Sequence, residues 1–284
     1  MNTAAAELLP RLRAALRDRY TVERELGRGG MAVVYLARER VADRLVAVKT
    51  LRPEVAAILG RERFLREIAV AAALGHPHIV PVIDSGDAEG CLHYIMPYVE
   101  GGSLRRRLSR EGRLPVHDAV QIAREVADAL SYAHARGVVH RDIKPENILV
   151  AGGHALVTDF GMARAAALAG QSSTPEGVAV GTPAYMSPEQ TKAGNHVDGR
   201  SDLYSLGCVL YEMLAAEPPF TGITAQAVIA RRLRESPRSL RIIRPEIPEH
   251  VERAVLSALE KSPRGRPQSA DQFAQWLTID VAHA

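Results

Sequence analysis

The feature that most constrains this chain is a change of hydrophobic period part-way along it. From Tyr20 to Lys49 the texture is alternating. Val33, Val34, Tyr35 and Leu36 follow a glycine cluster and Leu45 to Val48 form a second run, which predicts antiparallel strands joined by turns. Arg61 to Leu74 carries Phe64, Leu65, Ile68 and Ala72 at helical spacing, and strands are predicted again at Ile79 to Ile83 and Leu92 to Met96. Pro97 and the Gly101-Gly102 pair interrupt the pattern. Beyond them helical spacing predominates, over Leu104 to Leu108, Val116 to Ala135, Ser201 to Ala216, Ala225 to Arg234, Pro248 to Leu259 and Ser269 to Leu277. A strand-rich first part thus joins a helix-rich second part, an α+β arrangement. Ahead of both, Leu8, Leu9, Leu12, Ala15 and Leu16 predict a short amphipathic helix broken early by Pro10. Ala163 to Pro188 is rich in Gly, Ser, Thr and Pro and reads as a long loop inside the helical part, a kind of loop that is usually functional.

Composition removes several classes. With 284 residues, 46% of them hydrophobic, the chain can build a core in one or two soluble domains, which excludes disorder and fibrous classes. Its 36 basic residues stand against 33 acidic ones, no footprint for a nucleic acid, since neutralising phosphates needs a clustered excess. Cys91 and Cys208 are too few for a disulfide framework or a zinc site. No stretch approaches the roughly 18 apolar residues of a membrane-spanning helix, and Glu7, Arg11 and Arg13 stand where a signal peptide would have its apolar centre. A cytoplasmic protein is expected.

Three motifs carry chemistry. Gly27-Arg28-Gly29-Gly30-Met31-Ala32-Val33-Val34 is a glycine-rich turn between strands, where backbone N–H groups could approach phosphate oxygens without a Cβ in the way. An ordinary hairpin turn would look the same. A dinucleotide-binding turn should open a helix, whereas Val33 to Leu36 reads as strand. Val46-Ala47-Val48-Lys49 ends an apolar strand on one of only four lysines, arginine supplying the other 32 basic residues, and Glu67 follows 18 residues later on the next helix. A lysine held by a carboxylate can present its charge to phosphates, and a surface salt bridge is the plain alternative. The third is His140-Arg141-Asp142-Ile143-Lys144-Pro145-Glu146-Asn147, followed twelve residues after Asn147 by Asp159 in Thr158-Asp159-Phe160-Gly161. There one carboxylate can orient a hydroxyl, an amide and a second carboxylate can hold Mg²⁺, and a lysine can neutralise a transferring phosphoryl group.

With these motifs in one chain order, the sequence resembles the protein kinase superfamily, and the bacterial eukaryotic-like Ser/Thr protein kinases most closely, over about Tyr20 to Leu277. The resemblance implies a bilobed fold. It has a small antiparallel β lobe with one helix (20–98), a larger helical lobe (99–284) and an N-terminal helical extension (1–19), with ATP between the lobes. It implies that Lys49, held by Glu67, positions the α and β phosphates, that Asn147 and Asp159 hold Mg²⁺ or Mn²⁺, that Asp142 orients the acceptor hydroxyl, and that Lys144 stabilises charge on the γ-phosphoryl. Gly27 and Gly29 would approach the phosphates, Leu26, Val34, Ala47 and Leu149 enclose adenine, Met96 stand as gatekeeper, Pro97 and Val99 offer their backbone carbonyl and N–H, and Ser103 lie near the ribose. His140, Arg141, Phe160, Gly161, Glu189, Asp202 and Arg266 resemble structural supports, Asp202 from the large helix and Arg266 as the partner of Glu189.

The same resemblance narrows the acceptor. Lys144 with Gly181-Thr182-Pro183 looks like the Ser/Thr version, Thr182 being placed to bond Asp142 and Lys144, and Gly181 to Glu189 resembles the substrate-facing loop. Arg141 beside Asp142 resembles kinases that dock a phosphorylated loop, with Thr174, Ser173 and Ser172 as the hydroxyls available. The implied activity is a Ser/Thr protein kinase that acts in signalling on protein hydroxyls, its own loop included, with a homodimer as the arrangement for self-modification. Relatives often continue through a linker to a membrane span, so a longer, anchored protein is one expectation. Two departures stand out: Ala32 replaces the third glycine, a methyl that would stiffen the loop, and Pro97 lacks the N–H that its position does not need. A scaffold that has lost catalysis would lack Lys49, Asp142, Asn147 or Asp159, and all four are present. A small-molecule kinase would not need the segment Gly181 to Glu189. The remaining side chains have bland readings: His76, His78 and His93 as turn or core histidines, and Arg105 to Arg107 as a solvated face.

Overall fold

The computed structural model describes residues 3–162, 183–191 and 197–278. The chain divides into two units, one formed by 3–75, 80–98 and 160–162, the other by 76–79, 99–159, 183–191 and 197–278. The first contains helix α1 (Thr3–Leu16), strands β1 (Tyr20–Arg28), β2 (Ala32–Glu39) and β3 (Leu45–Leu51), helices α2 (Pro53–Leu59) and α3 (Arg61–Ala72), and strands β4 (Asp84–Ala88) and β5 (Cys91–Pro97). The strands form one antiparallel sheet in the order β1-β2-β3-β5-β4.

Register decides which side chains share a face of this sheet. Val33, Tyr35, Ala37, Val46, Val48 and Ile95 join Tyr20, Val22, Ala88, Cys91 and the α1 residues Leu8 and Leu12 in one apolar cluster. Fully burying a leucine contributes about 1.5–3 kcal/mol, so α1 is docked by Leu8 and Leu12 rather than fraying as a tail. The helix also runs through Pro10 without breaking, contrary to the sequence pattern.

Two further segments depart from expectation. The strand predicted at Ile79 to Ile83 lies later, at β4. Ile79 makes an isolated parallel bridge to Val157, and the Ile83 N–H donates to the Ile95 carbonyl at 2.7 Å. Helix α2, begun by Pro53 at its first position, carries only seven residues, too few to show a period.

The second unit contains α4 (Leu104–Glu111), α5 (Val116–His134), a hairpin of β6 (Ile148–Ala151) and β7 (His154–Val157), then α6 (Gly199–Ala215), α7 (Ala225–Arg234), the one-turn α8 (Leu240–Ile243), α9 (Glu249–Ala258) and α10 (Ala270–Trp276). Helix α6 is buried on all sides from Ser201 to Leu214, with α5, α9 and α10 packed on it. A helix buried all round is apolar all round unless its polar groups are satisfied internally. The buried polar residues of α6 are Ser201, Asp202, Ser205 and Glu212, and each of them holds a segment that bears functional residues.

Candidate active site

On the first unit, the sheet face opposite the α1 cluster carries most of the residues assigned to the nucleotide. Val34 is the register partner of both Gly27 on β1 and Lys49 on β3, Lys49 faces Tyr94 of β5, and Ala47 faces Met96. Period-two alternation therefore brings Gly27, Val34, Ala47, Lys49 and Met96 to one face although 69 residues separate the first from the last. Leu26 stands in β1 at the register shift between Glu25 and Gly27, and Gly29 lies on the β1–β2 turn, which its N–H closes by donating to the Ala32 carbonyl at 2.9 Å. Ala32 is buried as the first residue of β2. Pro97 ends β5 opposite Val46, beyond the reach of β4, so its missing N–H leaves no ladder bond unmade.

Glu67 lies on α3, whose Phe64, Ile68 and Ala71 face the interior. Gly161, at φ +81°, passes so close to this helix that a Cβ there would stand 3.0 Å from the Glu67 carbonyl oxygen, and Phe160 beside it is buried. Only glycine meets both demands.

On the second unit, the catalytic loop is a compact hydrogen-bonded turn. The Lys144 ammonium donates to Asp142 Oδ2 at 2.6 Å, and Asn147 Nδ2 donates to the Asp142 carbonyl at 2.8 Å and to its Oδ2 at 3.0 Å. His140 is fully buried. Its Nδ1 accepts the Asp142 N–H at 3.2 Å, so the ring proton sits on Nε2 and donates to the Thr158 carbonyl at 2.9 Å. One imidazole thus ties the loop to the residue before Asp159. Asp159 itself has φ +72° and Arg141 φ +67°, a left-handed shape that costs a non-glycine residue about 1–2 kcal/mol.

Asp202 of α6 offsets that cost at Arg141. Its Oδ1 accepts the Arg141 N–H at 2.7 Å, and its Oδ2 accepts the His140 N–H and His134 Nε2, each at 2.8 Å. Hydrogen bonds to a charged group contribute about 1.5–3 kcal/mol each, more than the backbone strain they hold.

The segment Pro183 to Thr191 is gripped by the same helix. The Ser205 hydroxyl donates to the Tyr185 carbonyl at 2.8 Å, the Tyr185 hydroxyl donates to Glu212 Oε2 at 2.5 Å, and Gln190 Nε2 donates to the Arg141 carbonyl at 2.7 Å. Burial, with the Glu212 carboxylate beside it, pushes the Tyr185 hydroxyl far up, so it stays a donor. Glu189 is 7% exposed and makes a fork-to-fork pair with Arg266, at 2.7 and 2.8 Å, while Ser201 donates to it at 2.6 Å. Burial alone would raise the Glu189 carboxyl, but the hydrogen bonds from Arg266 and Ser201 and the charge of Arg266 draw it down to about 2.

Among the other expected site residues, Ser103 and Leu149 are brought together in an isolated bridge. The Ser103 hydroxyl accepts the Arg106 N–H at 3.4 Å as the N-cap of α4. Gly101 must be glycine, because a Cβ there would collide with the Val150 carbonyl oxygen. Val99, half-buried, opens the stretch 99–159 of the second unit. Thr182, Thr174, Ser173 and Ser172 lie outside the described residues.

Sequence reasoning missed Arg105, which is no solvated group. Its guanidinium joins Glu146 at 2.8 Å, Glu212 at 2.6 Å and the Tyr185 hydroxyl, linking α4, the catalytic loop and α6. The available signal was the row Ser201, Ser205 and Glu212, polar residues along one face of a mostly apolar helix. Arg107 likewise pairs with Glu111 and Asp118.

Comparison with known proteins adds an independent line. A family model for the protein kinase domain matches residues 20–279. Over 268 residues the chain is 44% identical to the serine/threonine-protein kinase PknB of Mycobacterium tuberculosis, covering 91% of this chain and 42% of that protein. It is 43% identical over 264 residues to a probable serine/threonine-protein kinase of Streptomyces coelicolor, covering 91% and 39%. With the serine/threonine-protein kinase PknJ of Mycobacterium bovis it shares 43% identity over 263 residues, covering 90% and 44%. The chain spans less than half the length of these curated relatives.

Proposed function

This chain belongs to the protein kinase family, and on that footing we propose that it transfers the γ-phosphoryl group of ATP to serine and threonine hydroxyls of proteins. The observation that carries the reading is the turn in which Lys144 and Asn147 each donate to Asp142 within 3.0 Å, with Asp202 holding the Arg141 N–H beside it. Asp142 orients the acceptor hydroxyl and takes its proton as the new O–P bond forms and the bond to the ADP oxygen breaks, while Lys144 neutralises charge on the phosphoryl oxygens. Lys49, set on the sheet face with Gly27 and Val34 and held by Glu67, bears on the α and β phosphates.

The donor set fits a hard divalent cation. The Asn147 amide, fixed through its nitrogen, keeps a carbonyl oxygen to offer, and Asp159 adds a carboxylate, the oxygen ligands that Mg²⁺ prefers, with Mn²⁺ the alternative. Bound ATP with that cation would supply the phosphoryl group and part of the charge neutralisation. The β1–β2 turn is open to phosphates, since a Cβ at Gly27 or Gly30 would meet nothing within 4 Å.

Lys144 and Thr182 support the Ser/Thr reading, and Gly181 to Glu189 serves as the acceptor-facing segment. Arg141 presents a buried Nε without a hydrogen-bond partner among the described residues, which supports a phosphorylated residue among Ser172, Ser173 and Thr174 as its ligand, the phosphate being added by a second copy of the chain. We place the activity in the cytoplasm, where ATP is available. No helix among the described residues is long and apolar enough to cross a membrane.

Intact mass and site mapping after incubation with ATP and Mg²⁺, beside an Asp142→Asn control, tests the reading. Phosphate on Ser172, Ser173 or Thr174 in the wild type alone supports it. No mass gain and no label on myelin basic protein in either chain would sink it.

A further inference from the structure

Arg232 of α7 is the bulkiest fully buried side chain among the described residues, 1% exposed. Its Nη1 donates to the Pro183 carbonyl at 2.5 Å, while its Nε and Nη2, and the nearby Tyr204 hydroxyl, are enclosed without a hydrogen-bond partner among the described residues. Burial lowers the pKa of this guanidinium, and Tyr204, Cys208 and Glu189 draw it partly back. Replacing a buried charge by an apolar group of similar volume is often neutral or stabilising, so packing α7 needs no arginine. What the guanidinium supplies is a grip on one carbonyl.

That carbonyl has a particular place. Pro183 is the third residue of the acceptor-facing stretch Gly181 to Glu189 and the first of it among the described residues; it has no N–H, so its carbonyl is the one backbone group by which it can be hydrogen-bonded. Tyr185, Ser187, Glu189 and Gln190 each have an anchor on α6, on Arg266 or within the segment. Helix α7 also packs on the turn Pro188–Thr191. We propose that Arg232 is a positioning residue, fixing the Pro183 carbonyl and with it the surface that receives the protein acceptor. This rests on the kinase reading above.

The test uses the full chain with Arg232→Met, Arg232→Gln and Arg232→Lys. Hydrogen exchange across residues 183–191 is expected to quicken by about tenfold or more in the Met and Gln variants, with the peptide over Asp142 to Asn147 unchanged and Lys recovering part of the protection. With myelin basic protein as acceptor, KM for the acceptor should rise about 5–10-fold while kcat and KM for ATP stay within about twofold, and Lys should restore part of the loss. Unchanged exchange at 183–191, or equal shifts in both KM values, would overturn the proposal. So would loss of the folded state in both neutral variants with a wild-type Lys variant, which would make Arg232 purely structural. Absence of transfer by the wild type itself would count against the kinase reading, and the exchange experiment would still decide whether Arg232 anchors the segment.

Discussion

The two units solve the same problem with opposite materials. The sheet unit is held by an apolar cluster, and ion pairs such as Arg19–Asp84 lie at its surface. Arg19 and Asp84 meet at 2.5 Å, yet their side chains are 63% and 33% exposed. The helical unit buries its charges: Arg266 and Glu189 are 0% and 8% exposed, Asp202 is fully enclosed, and Arg105 reaches Glu212 inside. The difference follows from what each must hold. A sheet satisfies its own backbone and needs only side-chain packing to fix its register. A loop with left-handed residues at Arg141 and Asp159 has no ladder to hold it, so fixed acceptors must come from elsewhere, and α6 supplies them to Arg141.

The contrast can be tested by breaking it at successive depths. The largest effect is expected from Asp142→Asn, which should lower kcat by about 10²–10⁴-fold with little change in melting temperature. On the other unit, Lys49→Met should cost about 10²–10³-fold with the fold intact. Steady-state transfer and thermal melts on the same samples check both, and a matching fall in melting temperature would show that a structural defect had been measured. Glu189→Gln leaves Arg266 buried without a counter-charge. It should cost about 3–5 kcal/mol, or roughly 6–20 °C in melting temperature.

The same pair predicts a pH dependence. The folded Glu189 carboxyl titrates at about 2 against 4.5 for an unperturbed one. Its stabilisation is therefore fully present above pH 4.5 and lost as pH falls toward 2, and Glu189→Gln should flatten that part of the stability profile in denaturant titrations. Leu12→Ala, which opens a cavity between α1 and the sheet, should cost about 2–5 kcal/mol. Arg19→Ala should be the mildest, under about 1 kcal/mol and less in high salt, because solvent screens the pair. A larger loss there than at Leu12 would reverse the contrast.

The α+β arrangement and the order of the elements were legible because period and turn residues are local properties. Ala225 to Arg234 was read to the residue, and Val116 to Ala135 to within one at its end. The β6–β7 hairpin was not read, since four-residue strands around Gly152-Gly153 give too short an alternation to register. Pro10 misled because its neighbours Leu8 and Leu12 gain more from burial than the helix loses to one missing hydrogen bond. Ile79 and Val80 are buried as strand residues would be, but Ile79 meets β7, a partner no local pattern reveals.

The sequence by itself determined the reacting groups. Asp142, Lys144 and Asn147 sit within a six-residue stretch, so one tight turn must bring them together, and period-two alternation alone places Ala47 and Lys49 on the same face of a strand. Tertiary structure decided which charges are interior and what they hold. Arg105 resembles its exposed neighbour Arg106 in sequence, yet it bonds Glu212, 107 residues away. Arg232 follows Arg231, and only one of them is enclosed. A buried charge is stable only where its partners arrive, and partners that far apart along the chain are fixed by packing, which no local pattern encodes.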